Sequence, residues 1–334
     1  MATTVAVDAM GGDHAPALVV EGAVQALRDA DGALRVLLVG PEAEVQAELA
    51  QHDVDGLPLQ TVDAPEVIGM GEAPAAAVKT KSRSSIHVGL GAQKQGAADA
   101  FVSAGNTGAV MAAAVFGLGR VSGVSRPALP GFFPTTESHC LLLDVGANVD
   151  SRPEHLVEFA QMGRIYAERV LGRSNPTVGL LNVGEEPGKG NEAAKAAHEQ
   201  LAALGGLNFV GNVEGRDLMH HAADVVVCDG FVGNVLLKFG ESVRTVLPQL
   251  IGQELKAQGM GRDEAGIVQR VLGGVTNRFS YEEYGGSPLL GVDGTVLIGH
   301  GGSSARAGAP MIRRAAEVVR SDVRGHIASA LTAA

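Results

Sequence analysis

One repeated unit constrains this chain more than any other feature: a short, unbroken apolar run that ends in a loop of glycine and polar residues. Val36-Leu37-Leu38-Val39 runs into Gly40, and Leu141-Leu142-Leu143 runs into Asp144-Val145-Gly146. A strand with one wet face alternates apolar and polar residues. A continuous apolar run has both faces buried, the condition of a parallel strand covered by helices on each side. Strands are expected at Val5–Asp8, Arg35–Gly40, Leu57–Asp63, Ala100–Ser103, Cys140–Asp144, Thr177–Val183, Asn208–Val213 and Ala223–Cys228. Between them, helical spacing covers Pro16–Ala30, Glu42–Gln51, Thr107–Gly117, Glu154–Leu171 and Glu192–Leu204. This alternation predicts an α/β fold with a doubly wound, mostly parallel sheet. A (β/α) barrel is the alternative, weakened by the irregular spacing of the units.

The pattern changes over residues 232–279. Leu236, Leu237, Val243, Leu247, Leu250 and Ile251 follow helical spacing, which Gly252 and the Gly259-Met260-Gly261 turn are expected to break. This predicts a small helical tip. Strand character returns at Pro288–Val292 and Thr295–Gly299, where Asp293-Gly294 is a strong hairpin signal. A closing helix is expected over Ser304–Ile327. No linker interrupts the chain, so residues 1–334 read as one α/β catalytic domain containing the tip at 232–279.

Glycine numbers 46 of 334 residues, about twice the usual share, and has no triplet period. The glycines gather where strands end, the place where backbones turn tightly and approach ligands. With 26 basic against 37 acidic residues the net charge is −11, which argues against a general nucleic-acid grip. Two cysteines, Cys140 and Cys228, exclude a disulfide scaffold and read as buried thiols. No CxxC or HExxH spacing calls for a metal. The start of the chain lacks a signal-peptide pattern, and no apolar stretch approaches the length of a spanning helix, so a cytoplasmic protein is expected.

Six strand-end loops carry groups suited to chemistry. After the first strand, Asp8, Asp13 and His14 surround Gly11 and Gly12; they orient substrate or move a proton, or Asp13 caps the next helix. Ser103-Ala104-Gly105-Asn106-Thr107-Gly108 joins a strand to a helix, where free N–H groups and the helix dipole favour an anion. The competing reading is capping by Asn106 or Thr107. Asp144–Asp150, with Asn148, suits substrate positioning, a divalent ion or capping. Lys189 lies between Gly188 and Gly190, placed to neutralise a phosphate or oxyanion, or simply solvated. The P-loop pattern fails there because residue 190 is glycine. Asn234, after Asp229-Gly230, can donate its amide to a carbonyl oxygen; Cys228 beside it lacks a histidine partner in sequence. Finally, His300, Gly301, Ser303, Ser304 and Arg306 form another anion cradle or a serine-capped turn. No loop carries the GxGxxG fingerprint of dinucleotide binding.

Taken in order, VDAMGGDHAP, VSAGNTGA, LLDVGAN, NVGEEPGKGNE, GNVEGRD, CDGFVGNV and YGGSPLLGVDGTVLIGHGGSSARA resemble the PlsX phosphate acyltransferases from about Val5 to Arg306. One local departure is the Lys79–Ser85 run, since relatives often carry arginine where Val78 or Lys79 stands. The resemblance implies a fold similar to isocitrate and isopropylmalate dehydrogenases and to phosphate acetyltransferases. It implies transfer of a fatty acyl group from acyl-[acyl carrier protein] to inorganic phosphate. The product is acyl phosphate, handed to a glycerol-3-phosphate acyltransferase for phospholipid synthesis, and no cofactor is needed. It also implies a homodimer, with a tip that docks on membranes in some members. Lys189 and Asn234 match active-site positions; Asp8, His14, Asn106, Asn148 and His300 match pocket positions. Lys256, Arg262, Arg270 and Arg278 are candidates for docking the acidic carrier protein. Competing readings are an acyl-CoA-dependent transferase, a dehydrogenase and a non-catalytic ligand-binding regulator.

Overall fold

The computed structural model describes residues 2–277, 285–301 and 305–332. The parallel α/β architecture is present, but its strands are divided between two sheets. The first contains β1 (Thr3–Asp8), β2 (Leu34–Gly40), β3 (Leu59–Asp63), β4 (Ala100–Ser103), β10 (Ser287–Pro288) and β11 (Thr295–Ile298), in the order β10-β11-β4-β1-β2-β3. All pairings are parallel except β10 with β11. The second contains β5 (Pro130–Pro134), β6 (His139–Leu143), β7 (Val178–Asn182), β8 (Phe209–Glu214) and β9 (Val225–Val227), in the order β5-β6-β9-β7-β8, with β5 antiparallel on one edge.

The continuous apolar runs are buried on both faces, for the reason their composition suggests. In β1, Val5 and Val7 face α1 (Ala17–Arg28) and α10 (Ala305–Arg320), while Ala6 faces α4 (Ser85–Lys94) and α5 (Thr107–Gly117). In β6, Leu141 and Leu143 pack on α6 (Pro153–Arg169), and Leu142 packs on the side of α8 (Gly230–Ala257). Each such valine or leucine, fully buried, contributes roughly 1.5–3 kcal/mol of transfer free energy. Burial on both faces is what makes the strands independent of polar alternation.

Several expectations need correction. α8 runs unbroken through Pro248 and Gly252, so Gly252 does not end it; the break comes at the Gly259 turn, where φ is +69°, before α9 (Arg262–Asn277). The closing helix is two helices, α10 and α11 (Val323–Thr332), because Asp322 adopts a left-handed φ of 45° between them. β10 is shorter than expected. β5, α3 (Pro74–Thr80) and α4 were not expected at all. The remaining helices, α2 (Glu42–Leu49) and α7 (Glu192–Ala203), fall where helical spacing placed them. No described helix is long and apolar enough to cross a membrane.

Candidate active site

Because β11, β4 and β1 are neighbours in one sheet, the loops at their carboxyl ends meet. The Asp13 N–H donates to the Gly301 carbonyl at 2.9 Å, joining the loops after β1 and β11. Gly11 sits so close to the loop after β4 that a Cβ would lie 2.8 Å from the Gly105 nitrogen and 2.8 Å from Asp8 Oδ2. Only glycine fits. Beneath it, Ser103 Oγ donates to Asp8 Oδ2 at 2.6 Å and accepts from the Gly105 N–H at 3.0 Å. Burial pushes the Asp8 carboxyl above its ordinary value, against hydrogen bonds from Ser103, Ser85 and the Met10 N–H that act to lower it.

The second sheet contributes through Asp144, which is fully buried just beyond β6. Its carboxylate accepts the N–H groups of Leu129, Ala147 and Asn148 and the Asn148 side-chain amide, all between 2.7 and 3.1 Å. Burial raises its carboxyl as well. The start of α8 presses on this loop: a Cβ at Gly233 would collide with the Asp144 carbonyl, and one at Gly230 with the Asn148 carbonyl. That packing sets Asn234 beside Gly146, with its side-chain amide donating to the Val145 carbonyl at 3.0 Å. Leu237 follows one turn later on the same helical face.

Between these two groups of loops lies a cavity of about 410 Å³, lined from both sheets. One end is polar, with Asp8, Gly11, Gly12, His14, Thr107, Gly146, Asn234, His300 and Gly301. The rest is largely aliphatic, contributed by α1, α10, β5 and Leu237 of α8, beside which the charged Lys238 and Glu241 also line the cavity. Among the described lining residues the only lysine or arginine is Lys238, and its Nζ is paired with Glu241 at 2.8 Å.

The structure thus divides the expected site residues. Asp8, Gly11, Gly12, His14, Thr107, Asn234, His300 and Gly301 line the cavity. Ser103, Gly105, Asn106, Gly108 and Asn148 lie behind the lining and brace it. Asn106 caps α5 by accepting the Ala109 N–H at 3.1 Å, and its amide donates to the carbonyls of Gly69, Met70 and Glu72. Gly108 packs on Pro74, and Asn148 donates to the Pro127 carbonyl at 2.8 Å. Thr107 and Gly108 are first-turn positions, whose N–H groups have no partner within the helix. Not every helix start is available: Asp229 caps α8 by accepting the Phe231 and Val232 N–H groups.

Lys189 does not line the cavity. It is exposed on the β7–α7 loop, its stem against Gly184 and its carbonyl accepting from the Asn182 amide at 3.1 Å. That loop stands on the same carboxyl-end rim two strands from β6, about 10 Å away at ordinary strand spacing. Cys228 is buried with its thiol pushed well above the ordinary value by desolvation, and it donates to the Asp144 carbonyl, a poor setting for a nucleophile. Ser303 and Ser304 lie outside the described residues, as does Arg278; Lys256, Arg262 and Arg270 are exposed. No three His, Cys, Asp or Glu side chains gather as a metal site among the described residues.

Sequence reasoning missed the loop bearing Met70, which lines the cavity opposite Gly301, and the β5 wall at Leu129, Gly131 and Phe132. The first had a signal in Gly69-Met70-Gly71-Glu72 ahead of Pro74. The second had none beyond its flanking prolines.

This fold and its cleft have counterparts among known proteins. The family described as "Fatty acid synthesis protein" matches residues 3–326. A phosphate acyltransferase from Salinibacter ruber is 55% identical, covering 96% of each chain, and one from Heliobacterium modesticaldum is 47% identical, covering 98% of this chain and 96% of its own. Among solved structures, a phosphotransacetylase from Streptococcus pyogenes superposes with TM-score 0.60 at 17% identity, covering 96% and 94% of the two chains. A 4-hydroxythreonine-4-phosphate dehydrogenase from Klebsiella pneumoniae gives 0.51 at 15% identity, covering 96% and 98%; these two establish the fold alone. The chain belongs to the PlsX phosphate acyltransferase family and is an acyltransferase.

Proposed function

We propose that this enzyme transfers a fatty acyl group from acyl carrier protein to inorganic phosphate, releasing acyl phosphate for phospholipid synthesis. The observation that carries the reading is the cavity itself, whose glycine-loop end suits an anion and whose aliphatic walls suit a hydrocarbon. Phosphate sits at the polar end, held by the Thr107 turn of α5 and by loop N–H groups. Asp8 lies beneath it, its carboxyl raised above the ordinary value by burial and held by Ser103, Ser85 and the Met10 N–H. Lys189, moving in from its exposed glycine-flanked loop on the same rim, supplies positive charge.

A phosphate oxygen attacks the thioester carbonyl carbon and forms the new C–O bond. The Asn234 amide stabilises the oxyanion. The intermediate then collapses, the C–S bond breaks, and the carrier's thiolate leaves with the bonding electrons and takes a proton from water. Thiolate leaves readily, so this chain's residues need only position phosphate and stabilise charge. His14 and His300 stand at the cavity mouth as proton-handling candidates.

The test is mass-spectrometric detection of acyl phosphate from the purified protein, an acyl carrier protein thioester and phosphate. Lys189→Ala and Asn234→Ala are each expected to lower its formation by a hundredfold or more, in the range of lost oxyanion donors. Near-wild-type rates in both variants would remove these residues from the mechanism. A turnover preference for acyl-CoA would change the donor.

Homodimer formation and membrane contact are part of the same reading. They are supported by Val246, Leu250, Ile267, Val271 and Val275, apolar residues exposed along α8 and α9. Liposome flotation after replacing these residues by serine separates the two: loss of flotation with an intact dimer assigns the surface to lipid.

A further inference from the structure

We propose that the aliphatic arm of the cavity is the acyl-chain channel, and that Leu237, on the helix bearing Asn234, governs chain-length preference. The inference rests on the acyl-transfer reading above. Asn234 and Leu237 are three residues apart on α8, so their side chains share one face, a turn apart. A thioester carbonyl held at Asn234 therefore sends its alkyl chain past Leu237, where a larger side chain leaves room for fewer methylenes. From there the walls are Leu129 and Phe132 on one side and Leu18, Met311 and Ile312 on the other.

Two features shape this arm. At Gly131 a Cβ would stand 2.9 Å from Val145 and 3.4 Å from Leu237, so any side chain on this lining residue would crowd the channel. At Gly308 the α10 backbone packs directly on Gly22 of α1, a Cβ on Gly308 standing 3.2 Å from the Gly22 Cα, so the two helices form one continuous wall. Met311 adds a flexible wall that adjusts to an alkyl chain. The occupant is an acyl chain: these six side chains offer dispersion contact and burial and no N–H or O–H donor, and the charges of Lys238 and Glu241 beside Leu237 are paired with each other.

The test compares palmitoyl and octanoyl thioesters of acyl carrier protein on one preparation of each variant, so the ratio of kcat/KM does not depend on the fraction folded. Each methylene kept out of the channel costs about fourfold. Leu237→Trp is expected to lower the palmitoyl-to-octanoyl ratio about tenfold. Leu18→Phe, from the opposite wall, should lower it in the same direction.

Leu237→Trp also places an indole in a chain that has no tryptophan. Its emission should shift on adding palmitoyl carrier protein and should not shift with the unacylated carrier, a readout that survives loss of turnover. Unchanged ratios in both variants, proportional loss of both donors, or equal emission with acylated and unacylated carrier would overturn the channel. If wild-type protein forms acyl phosphate from neither donor, the acyl-transfer reading fails instead.

Discussion

Two buried aspartates occupy corresponding places in the two sheets, each where a central strand meets its glycine loop, yet they do different work. Asp8 lines the cavity and takes hydrogen bonds from the Ser103 and Ser85 side chains and the Met10 N–H. Asp144 is fully buried, does not line the cavity, and gathers four donors from its own loop and from Leu129. Both carboxyls are raised by burial. A strand-end aspartate followed by glycine is thus not in itself a catalytic signature. What distinguishes the two is how much of the carboxylate the local backbone already occupies. Asp144 shapes the loop that presents Gly146 and Asn234, whereas Asp8 faces the cavity.

The contrast can be broken in stages. Asp144→Ala should have the largest effect: three backbone N–H groups lose a buried acceptor, at about 1–3 kcal/mol each, so a stability loss of roughly 4 kcal/mol is expected in denaturant unfolding. A loss below about 1 kcal/mol would mean the loop holds itself. Gly11→Ala comes next. The added methyl meets Asp8 and Gly105, and about 2 kcal/mol of destabilisation should accompany a fall in turnover as the β1 and β4 loops part. The smallest effect is a pH dependence. A carboxyl raised in the fold binds protons more tightly there than in the unfolded chain, so its contribution to stability is greatest below the ordinary value of 3.8 and is lost as pH rises through the folded value. Asp8→Asn should flatten that limb of the stability profile, and an unaltered slope would place the protonation elsewhere.

Much of this was readable in the chain. Runs such as Val36–Val39 and Leu141–Leu143 announce two-sided burial because no polar residue interrupts them, and the glycine loops mark where strands end. The division into two sheets was not readable, because it depends on which edges meet. β4 pairs with β1 on one side and with β11, nearly two hundred residues later, on the other. β5 escaped notice because proline bounds a strand that shows neither alternation nor an unbroken apolar run. At the site, the sequence shows which loops carry amides and hydroxyls but not which are already engaged. Asn106 and Asn148 have amides that meet backbone carbonyls only the folded chain brings near.

The late arrival of β11 has a consequence for synthesis. Until Thr295–Ile298 emerges, the first sheet ends at β4 with an open row of backbone donors and acceptors, and α1 lacks the α10 surface it packs against. A nascent chain in that condition presents a strand edge and an apolar helix face together, the two ingredients of intermolecular pairing. The polar end of the cavity, which needs Gly301 beside Gly12, is assembled only after about nine-tenths of the polypeptide has been made. Fragments that stop before Thr295 are therefore expected to be insoluble, which sedimentation after expression checks.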